Sequence, residues 1–180
     1  DNDRVIAGQG TLGLELASQL SKHSIHKADV LVCCGGGGLT AGVAVALADA
    51  APDLCVRPCE PKFYDDTSRS LLSGKREVNT GSQTSICDAI LTPTPGKLTF
   101  PILKRLAGHG LVVSDSEVLL TMAHVFQRLK LIVEPGGAVA LASALFRRDQ
   151  INGDTVVAVL TGGNTDAKTF SRALSVLETH

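Results

Sequence analysis

The sequence predicts an α/β domain, a largely parallel sheet with helices on both faces, on three observations. Unbroken apolar runs of strand length recur along the chain, at Val30–Cys34, Leu54–Cys59 and Thr155–Leu160. Stretches with apolar residues at helical spacing alternate with them, and a run of four glycines joins the first of these strands to the helix after it. With 180 residues, 44% of them hydrophobic, the chain is long enough to form one core. A chain of that length buries roughly 70% of the surface its unfolded form exposes. It reads as a single domain over residues 1–180.

Leu12, Leu16 and Leu20 share one face of a helix over Leu12–Lys22, and a short polar connection leads into the strand Val30–Cys34. Leu39–Ala51, rich in Ala and Val and stopped by Pro52, reads as a helix lying on a sheet, and Leu54–Cys59 as the next strand, so the three make a parallel crossover unit. Asp66, Thr67 and Ser68 supply a cap for a short helix through Leu72. Ser73–Lys97 is polar and rich in Gly, Thr, Ser and Pro, which predicts irregular structure with one candidate strand at Ile86–Leu91. Leu111–Val113 precedes a Ser114-Asp115 cap, and the helix it starts carries Val118, Met122, Val125, Phe126 and Leu129 on one face. Leu131–Val133 and Thr155–Leu160 complete the strands, with an Ala-rich helix Gly137–Arg147 between them. No internal repeat or low-complexity linker interrupts this order.

Composition excludes several classes. A formal charge of −1 and 3% aromatic residues provide neither the basic field nor the stacking platforms of a nucleic-acid binder. No apolar run reaches the roughly 18 residues of a membrane span, and Asp1-Asn2-Asp3-Arg4 is unlike a signal peptide, so a soluble protein is expected. Five cysteines (Cys33, Cys34, Cys55, Cys59, Cys87) form an odd set without a C-x-x-C pair, which argues against a disulfide scaffold or a zinc ribbon and for a reducing cytoplasm. Cys33 and Cys34 read as small apolar bulk. The histidines (His23, His26, His109, His124, His180) show no ligand spacing and are expected on the surface or on helix faces.

The segment Gly35-Gly36-Gly37-Gly38-Leu39 carries the chemistry. Where a strand ends in glycines and opens a helix, bare N–H groups converge on an anion, and the helix N-terminus adds roughly half a positive charge. The spacing is not the G-x-G-x-x-G of a dinucleotide fold, and no Gly-Lys-Ser/Thr ending of a P-loop follows. A nucleotide-binding domain would also want an acidic residue at the end of the second strand, a place Glu60 could take, yet the glycine spacing is wrong for it. A tight turn that merely needs small residues is the structural alternative, but four glycines exceed that need.

Val32-Cys33-Cys34-Gly35-Gly36-Gly37-Gly38-Leu39-Thr40-Ala41-Gly42 resembles the V-x-x-GGGGL-x-AG segment of the fold-type II enzymes that use pyridoxal 5'-phosphate (PLP), in particular threonine/serine dehydratases and serine racemases. Three more segments follow that family's order: Val5-Ile6-Ala7-Gly8-Gln9-Gly10-Thr11 is similar to the segment opening its large domain, Ile132–Ala138 to its VEPxGA, and Val159–Asn164 to its VLSGGN with Thr for Ser. The resemblance spans positions 5 to 164 and implies the three-layer fold of the tryptophan synthase β type, present incompletely.

By that resemblance the cofactor-binding residues are Gly35, Gly36, Gly37, Gly38, Leu39, Glu134, Thr161 and Gly162. The Thr161 hydroxyl would meet the pyridine nitrogen, and a hydroxyl there, unlike a carboxylate, leaves the ring largely neutral and favours prompt β-elimination. Gly162-Gly163-Asn164 would pass under the ring. Glu134 has two readings, a neighbour of the ring or an acidic residue favoured at a helix N-terminus before Pro135. Glu60, Tyr64 and Asp66 have the spacing of a cation site in the serine racemase group, two carboxylates and a carbonyl for Mg²⁺ or Ca²⁺, or else form an acidic helix cap. Arg57-Pro58 departs from the small residues usual before that Glu-Pro, and a proline cannot donate to a strand ladder.

The family's Schiff-base lysine lies in an S-x-K-x-R-G-like segment, and no such segment occurs here, so no catalytic residue is assigned. The chain reads as a fragment, as one half of a split enzyme, or as a truncated product that keeps only binding. The implied parent reaction converts L-threonine or L-serine to a 2-oxo acid and ammonia; serine racemisation uses the same site and stays open. No regulatory domain is expected after the glycine motif, which resembles the catabolic form. Expected partners are a small amino-acid substrate and either a second copy or the missing N-terminal half, with neither nucleic acid nor membrane.

Overall fold

The computed structural model describes residues 1–81 and 83–178. Its core is a four-stranded, wholly parallel sheet of order β3-β2-β1-β4, built from β1 (Ala28–Cys33), β2 (Leu54–Pro61), β3 (Leu111–Val113) and β4 (Val156–Ala158). Because side chains alternate along a strand, β1 serves two cores at once. Val30 and Val32 pack with Val43, Ala44 and Leu47 of α2 (Gly38–Ala50) and with Leu12, Leu16 and Leu20 of α1 (Asp3–Lys22). Leu31 and Cys33 pack on the other face with α5 (Asp115–Leu129), α6 (Pro135–Phe146) and α7 (Ala167–Ser175). The two shorter helices are α3 (Asp66–Ser73), at the end of β2, and α4 (Thr99–Leu106), whose Leu103 packs against Ala41 of α2. No helix among the described residues is long and apolar enough to cross a membrane.

The first helix begins at Asp3 rather than Leu12, so the Val5–Thr11 motif is helical. Asn2 caps it, its side chain accepting from the amides of Arg4 and Val5. The glycines of α1 and α2 serve the contact between the two helices. A Cβ on Gly42 would run into the Ile6 carbonyl and lie 2.8 Å from the Gly10 nitrogen, and one on Gly13 would lie 2.8 Å from Ala46 Cβ. Two backbones approach this closely only where side chains are absent, and that approach outweighs the low helix propensity of glycine.

Other expectations are corrected. Ile86–Leu91 is not a strand: it turns through a short 3-10 segment, Asp88–Ile90, held at its start by the Asp115 carboxylate, which accepts from the Ile86 amide (3.0 Å) and the Ser85 hydroxyl (2.6 Å). Leu131–Val133 is not a strand either. Leu131 and Ile132 are more than half exposed, and the one ladder-like bond nearby runs from the Glu134 amide to the Gly162 carbonyl, 2.9 Å. The helix of Gly137–Arg147 starts earlier, at Pro135, and α4 and α7 had not been anticipated. The Ser114 cap is present and is a full capping box with Glu117.

Pro58 sits inside β2 without breaking it. The Val56 carbonyl faces the β3 side, accepting from the Gly108 amide at 2.9 Å, so Pro58, two residues on, faces that side too. There β3 has not yet begun, since its register starts at Cys59 opposite Leu111. Arg57 is spent on structure: its guanidinium pairs with Asp29 (2.9 Å) and donates to the carbonyls of His109 and Gln150, and both charged side chains are about 5% exposed. Asp29 also accepts from the Asn152 amide (3.1 Å), so the pair ties β1 and β2 to two connections, those leading into β3 and into β4.

Candidate cofactor-binding site

β1 crosses over through α2 to β2 on one side and has β4 on the other, so the ends of β1 and β4 flank the point where the connections part. Open parallel sheets take ligands at such a point, beyond the C-terminal ends of the strands. Here a cleft of about 330 Å³ lies between the glycine loop after β1 and the Thr161–Gly162 segment after β4. Gly35, Gly36, Gly37, Gly38, Leu39, Glu134, Thr161 and Gly162 all line it, together with Cys33, Thr40, Ala89 and Ile90.

The loop is shaped by backbone geometry. Gly37 has φ +89°, which L side chains rarely adopt, and a Cβ on it would press on Thr99 Oγ1 at 2.9 Å. The Gly36 carbonyl is turned away from the cleft and held by the Thr99 hydroxyl (2.6 Å) and the Gly96 amide (3.1 Å). The first intrahelical bond of α2 runs from the Ala41 amide to the Gly37 carbonyl (2.8 Å), and among the described residues no acceptor takes the N–H groups of Gly35 to Thr40. A Cβ on Gly38 would meet nothing within 4 Å, so the cleft is open beside this residue. The loop presents unpaired donors at the positive end of a helix of 13 residues.

Across the cleft, Thr161 is exposed at the end of β4, its Oγ1 3.5 Å from Cys33 Sγ. Glu134 is the N-cap residue of α6, yet its carboxylate makes no bond to that helix; Oε2 accepts from the Asn164 amide at 3.0 Å. The carboxylate lies against Gly162, where a Cβ would come within 2.5 Å of Oε1, so a side chain at Gly162 would displace the Glu134 carboxylate. Burial pushes the Cys33 thiol up from its ordinary value, with the nearby Glu134 carboxylate adding to the effect against the bond to Thr161. Ala89 and Ile90 line the cleft although no motif marks them as site residues; the apolar side chains of Ile86, Ile90 and Leu91 pack against the core rather than forming a strand. No lysine is among the residues lining the cleft.

Glu60, Tyr64 and Asp66 lie elsewhere, at the end of β2 and the start of α3. Both Glu60 oxygens are occupied: Oε1 accepts from the Thr67 amide (2.8 Å) and Oε2 from the Ser68 amide and hydroxyl (both 2.7 Å), so Glu60 caps α3 from a distance. Burial pushes its carboxyl up to about 8, and burial likewise raises Asp66 to about 6. Asp66 Oδ1 accepts from Asn79, while its buried Oδ2 has no partner. The Tyr64 hydroxyl donates to the Gln83 carbonyl at 3.0 Å. Among the described residues no three His, Cys, Asp or Glu side chains gather as a metal site. Cys34 is buried with its thiol 3.5 Å from Thr67 Oγ1. His23, His26 and His109 are exposed and His124 is half-buried on α5, while His180 lies outside the described residues.

Comparison with known proteins bears on this geometry. Residues 1–162 match the family model described as pyridoxal-phosphate dependent enzyme. The chain is 38% identical over 179 residues to serine racemase of Dictyostelium discoideum, covering 97% of this chain and 53% of that protein. It is 39% identical over 172 residues to L-threonine ammonia-lyase of Geobacter sulfurreducens, covering 95% and 41%. Among solved structures, a threonine deaminase from T.th. superposes with a TM-score of 0.87 at 38% identity, over 92% of this chain and 59% of that one. The chain thus spans about half the length of the relatives it matches.

Proposed function

The chain belongs to the family of pyridoxal-phosphate dependent enzymes, and from that premise we propose that its cleft binds PLP, with the cofactor phosphate on the glycine loop and the ring against Thr161. The observation that carries the reading is the set of unpaired amides from Gly35 to Thr40 facing the Thr161 hydroxyl across one cleft. Backbone N–H groups at a helix start suit a phosphate dianion, and a neutral hydroxyl suits a ring nitrogen. The cleft volume of about 330 Å³ fits one small molecule.

The cofactor, when bound, supplies an electron sink for the carbon bearing the substrate's amino group. The chain's own residues would bind and orient: the loop amides would hold the phosphate, Thr161 would meet the ring nitrogen, and Gly162, by lacking a side chain, makes room for the Glu134 carboxylate, which the Asn164 amide holds at the cleft. The reaction class is dehydration of L-threonine or L-serine to a 2-oxo acid and ammonia. Serine racemisation is the second reading, favoured by the likeness to the Dictyostelium protein over 97% of the chain. No lysine lines the cleft, so this chain alone binds the cofactor without turnover, and a further polypeptide segment brings the proton-transferring lysine. A divalent cation does not fit well, because both Glu60 oxygens are committed to α3, and no step is assigned to one. Five free cysteines suit the cytoplasm.

Titration of the chain with PLP, followed by absorbance and melting temperature, then borohydride reduction and peptide mass analysis, tests the reading. A spectral and thermal response without a unique pyridoxyl-lysine is the expected result. An adduct on one specific lysine would overturn binding without turnover, and the absence of any response would overturn the cofactor site. Once the lysine-bearing segment is supplied, 2-oxo acid release identifies the dehydratase and D-serine the racemase.

A further inference from the structure

We propose that Cys33 is a positioning residue for Thr161: its S–H donates to Thr161 Oγ1 and so leaves the Thr161 hydroxyl proton to point at the cofactor's ring nitrogen. The inference rests on the cofactor reading above. β1 and β4 are adjacent and parallel, with Leu31 opposite Ala158, so Cys33, two residues on in β1, comes beside Thr161, three residues beyond β4. The two side chains meet at 3.5 Å, an ordinary separation for a thiol and a hydroxyl, and both line the cleft. Cys33 itself is 6% exposed, so the thiol is fixed by the core while the hydroxyl it touches is open to the ligand.

The direction of the bond follows from donor and acceptor strength. A hydroxyl has one proton and two lone pairs, whereas sulfur is a weak acceptor. With a pyridine nitrogen in reach, the hydroxyl proton goes to the nitrogen, and the thiol satisfies an oxygen lone pair. The desolvated thiol beside Glu134 remains protonated at neutral pH, which keeps that donor available. Cys33 would then favour an unprotonated ring nitrogen, the electronic state suited to elimination.

The full chain is titrated with 4'-deoxypyridoxine 5'-phosphate, which has no aldehyde to react with lysines elsewhere, and separately with inorganic phosphate. Cys33→Ala should weaken the ring-bearing ligand about threefold, the worth of one weak hydrogen bond, and shift its ultraviolet band. Cys33→Ser should restore both, and phosphate affinity should be the same in all three proteins. In a Thr161→Ala background, Cys33→Ala should have no further effect on the ligand. Equal ring-ligand affinity and band in wild type and Cys33→Ala would overturn the role of Cys33 alone, as would a loss that Cys33→Ser does not repair. If the wild type binds neither probe, the cofactor reading falls, and this inference falls with it. Melting curves of each variant identify any loss that comes from unfolding, and the Ser variant, one atom different, then carries the comparison.

Discussion

Replacing Gly38 by alanine should leave the fold intact while removing the anion site, because the two properties depend on different atoms. Gly38 is the first residue of α2, its φ is ordinary, and a Cβ there meets nothing within 4 Å. Alanine at such a position restricts the unfolded chain and adds about 0.4–1 kcal/mol of stability. For a domain of this size that is an unchanged or slightly higher melting temperature, by about 1–4 °C. The same methyl group stands in the open cleft beside the unpaired amides. A hydrogen bond from an amide to a charged group is worth about 1.5–3 kcal/mol, so displacing the anion from one amide weakens PLP and inorganic phosphate about 10- to 100-fold. Gly37→Ala is the contrasting control. Its φ of +89° and the approach of Thr99 at 2.9 Å make it destabilising by about 1–3 kcal/mol, with binding lost through the fold. Differential scanning calorimetry with a PLP titration separates the two outcomes. A folded Gly38→Ala protein that binds PLP and phosphate like wild type would show that the loop amides are not the anion site, and an unfolded one would show that the space is not open.

Three further outcomes can be checked by equilibrium unfolding. Arg57→Leu strands the buried Asp29 carboxylate and should cost about 3–5 kcal/mol in urea denaturation, much of it recovered by adding Asp29→Leu; a loss below about 1 kcal/mol would mean the pair is not desolvated. Gly42→Ala, a change that ordinarily strengthens a helix, should instead destabilise by about 1–3 kcal/mol, since its methyl meets the α1 backbone; a more stable variant would contradict the close contact of α1 and α2. Glu117 gives a pH dependence: burial pushes its carboxyl up, but bonds from Arg147 and the Ser114 cap outweigh burial and hold it below the ordinary 4.5. A carboxyl lowered in the folded state contributes stability above its unfolded value and loses it as pH falls through the folded one. Acid melts should therefore show stability falling below about pH 4.5 more steeply in wild type than in Glu117→Gln, and identical slopes would exclude Glu117 as a contributor.

Apolar runs and glycines carried most of the fold in advance, because their information is local. β1 and β2 are buried on both faces, so they read as continuous apolar runs whatever surrounds them, Val30–Cys34 and Leu54–Cys59 in the sequence. Ser114 announces a helix start because its cap bond is made to a residue three positions on. The glycine loop is legible for the same reason, since four residues without side chains between a strand and a helix leave their amides bare. The loop by itself pointed to an anion site, whereas Thr161 and Glu134 came from the family resemblance, and the fold brings all of them to one cleft.

What the tertiary structure decided are the matters where a residue's partner lies far along the chain. Val5–Thr11 is helical because Gly42, more than thirty residues on, needs α1 to come close. Ala89 and Ile90 reach the cleft because Asp115 binds the start of their segment and Ile90 lies against Gly35. Glu60 is a shorter-range case, a cap and not a free carboxylate because the turn over residues 62–65 folds the first amides of α3 back onto both of its oxygens. The contact of Cys33 with Thr161 joins residues 128 apart and exists only because β1 and β4 are neighbours in the sheet. Spacing in sequence reveals which groups are available, and pairing across the sheet determines which of them meet, because hydrogen bonds and steric exclusion act over a few ångströms whatever the distance along the chain.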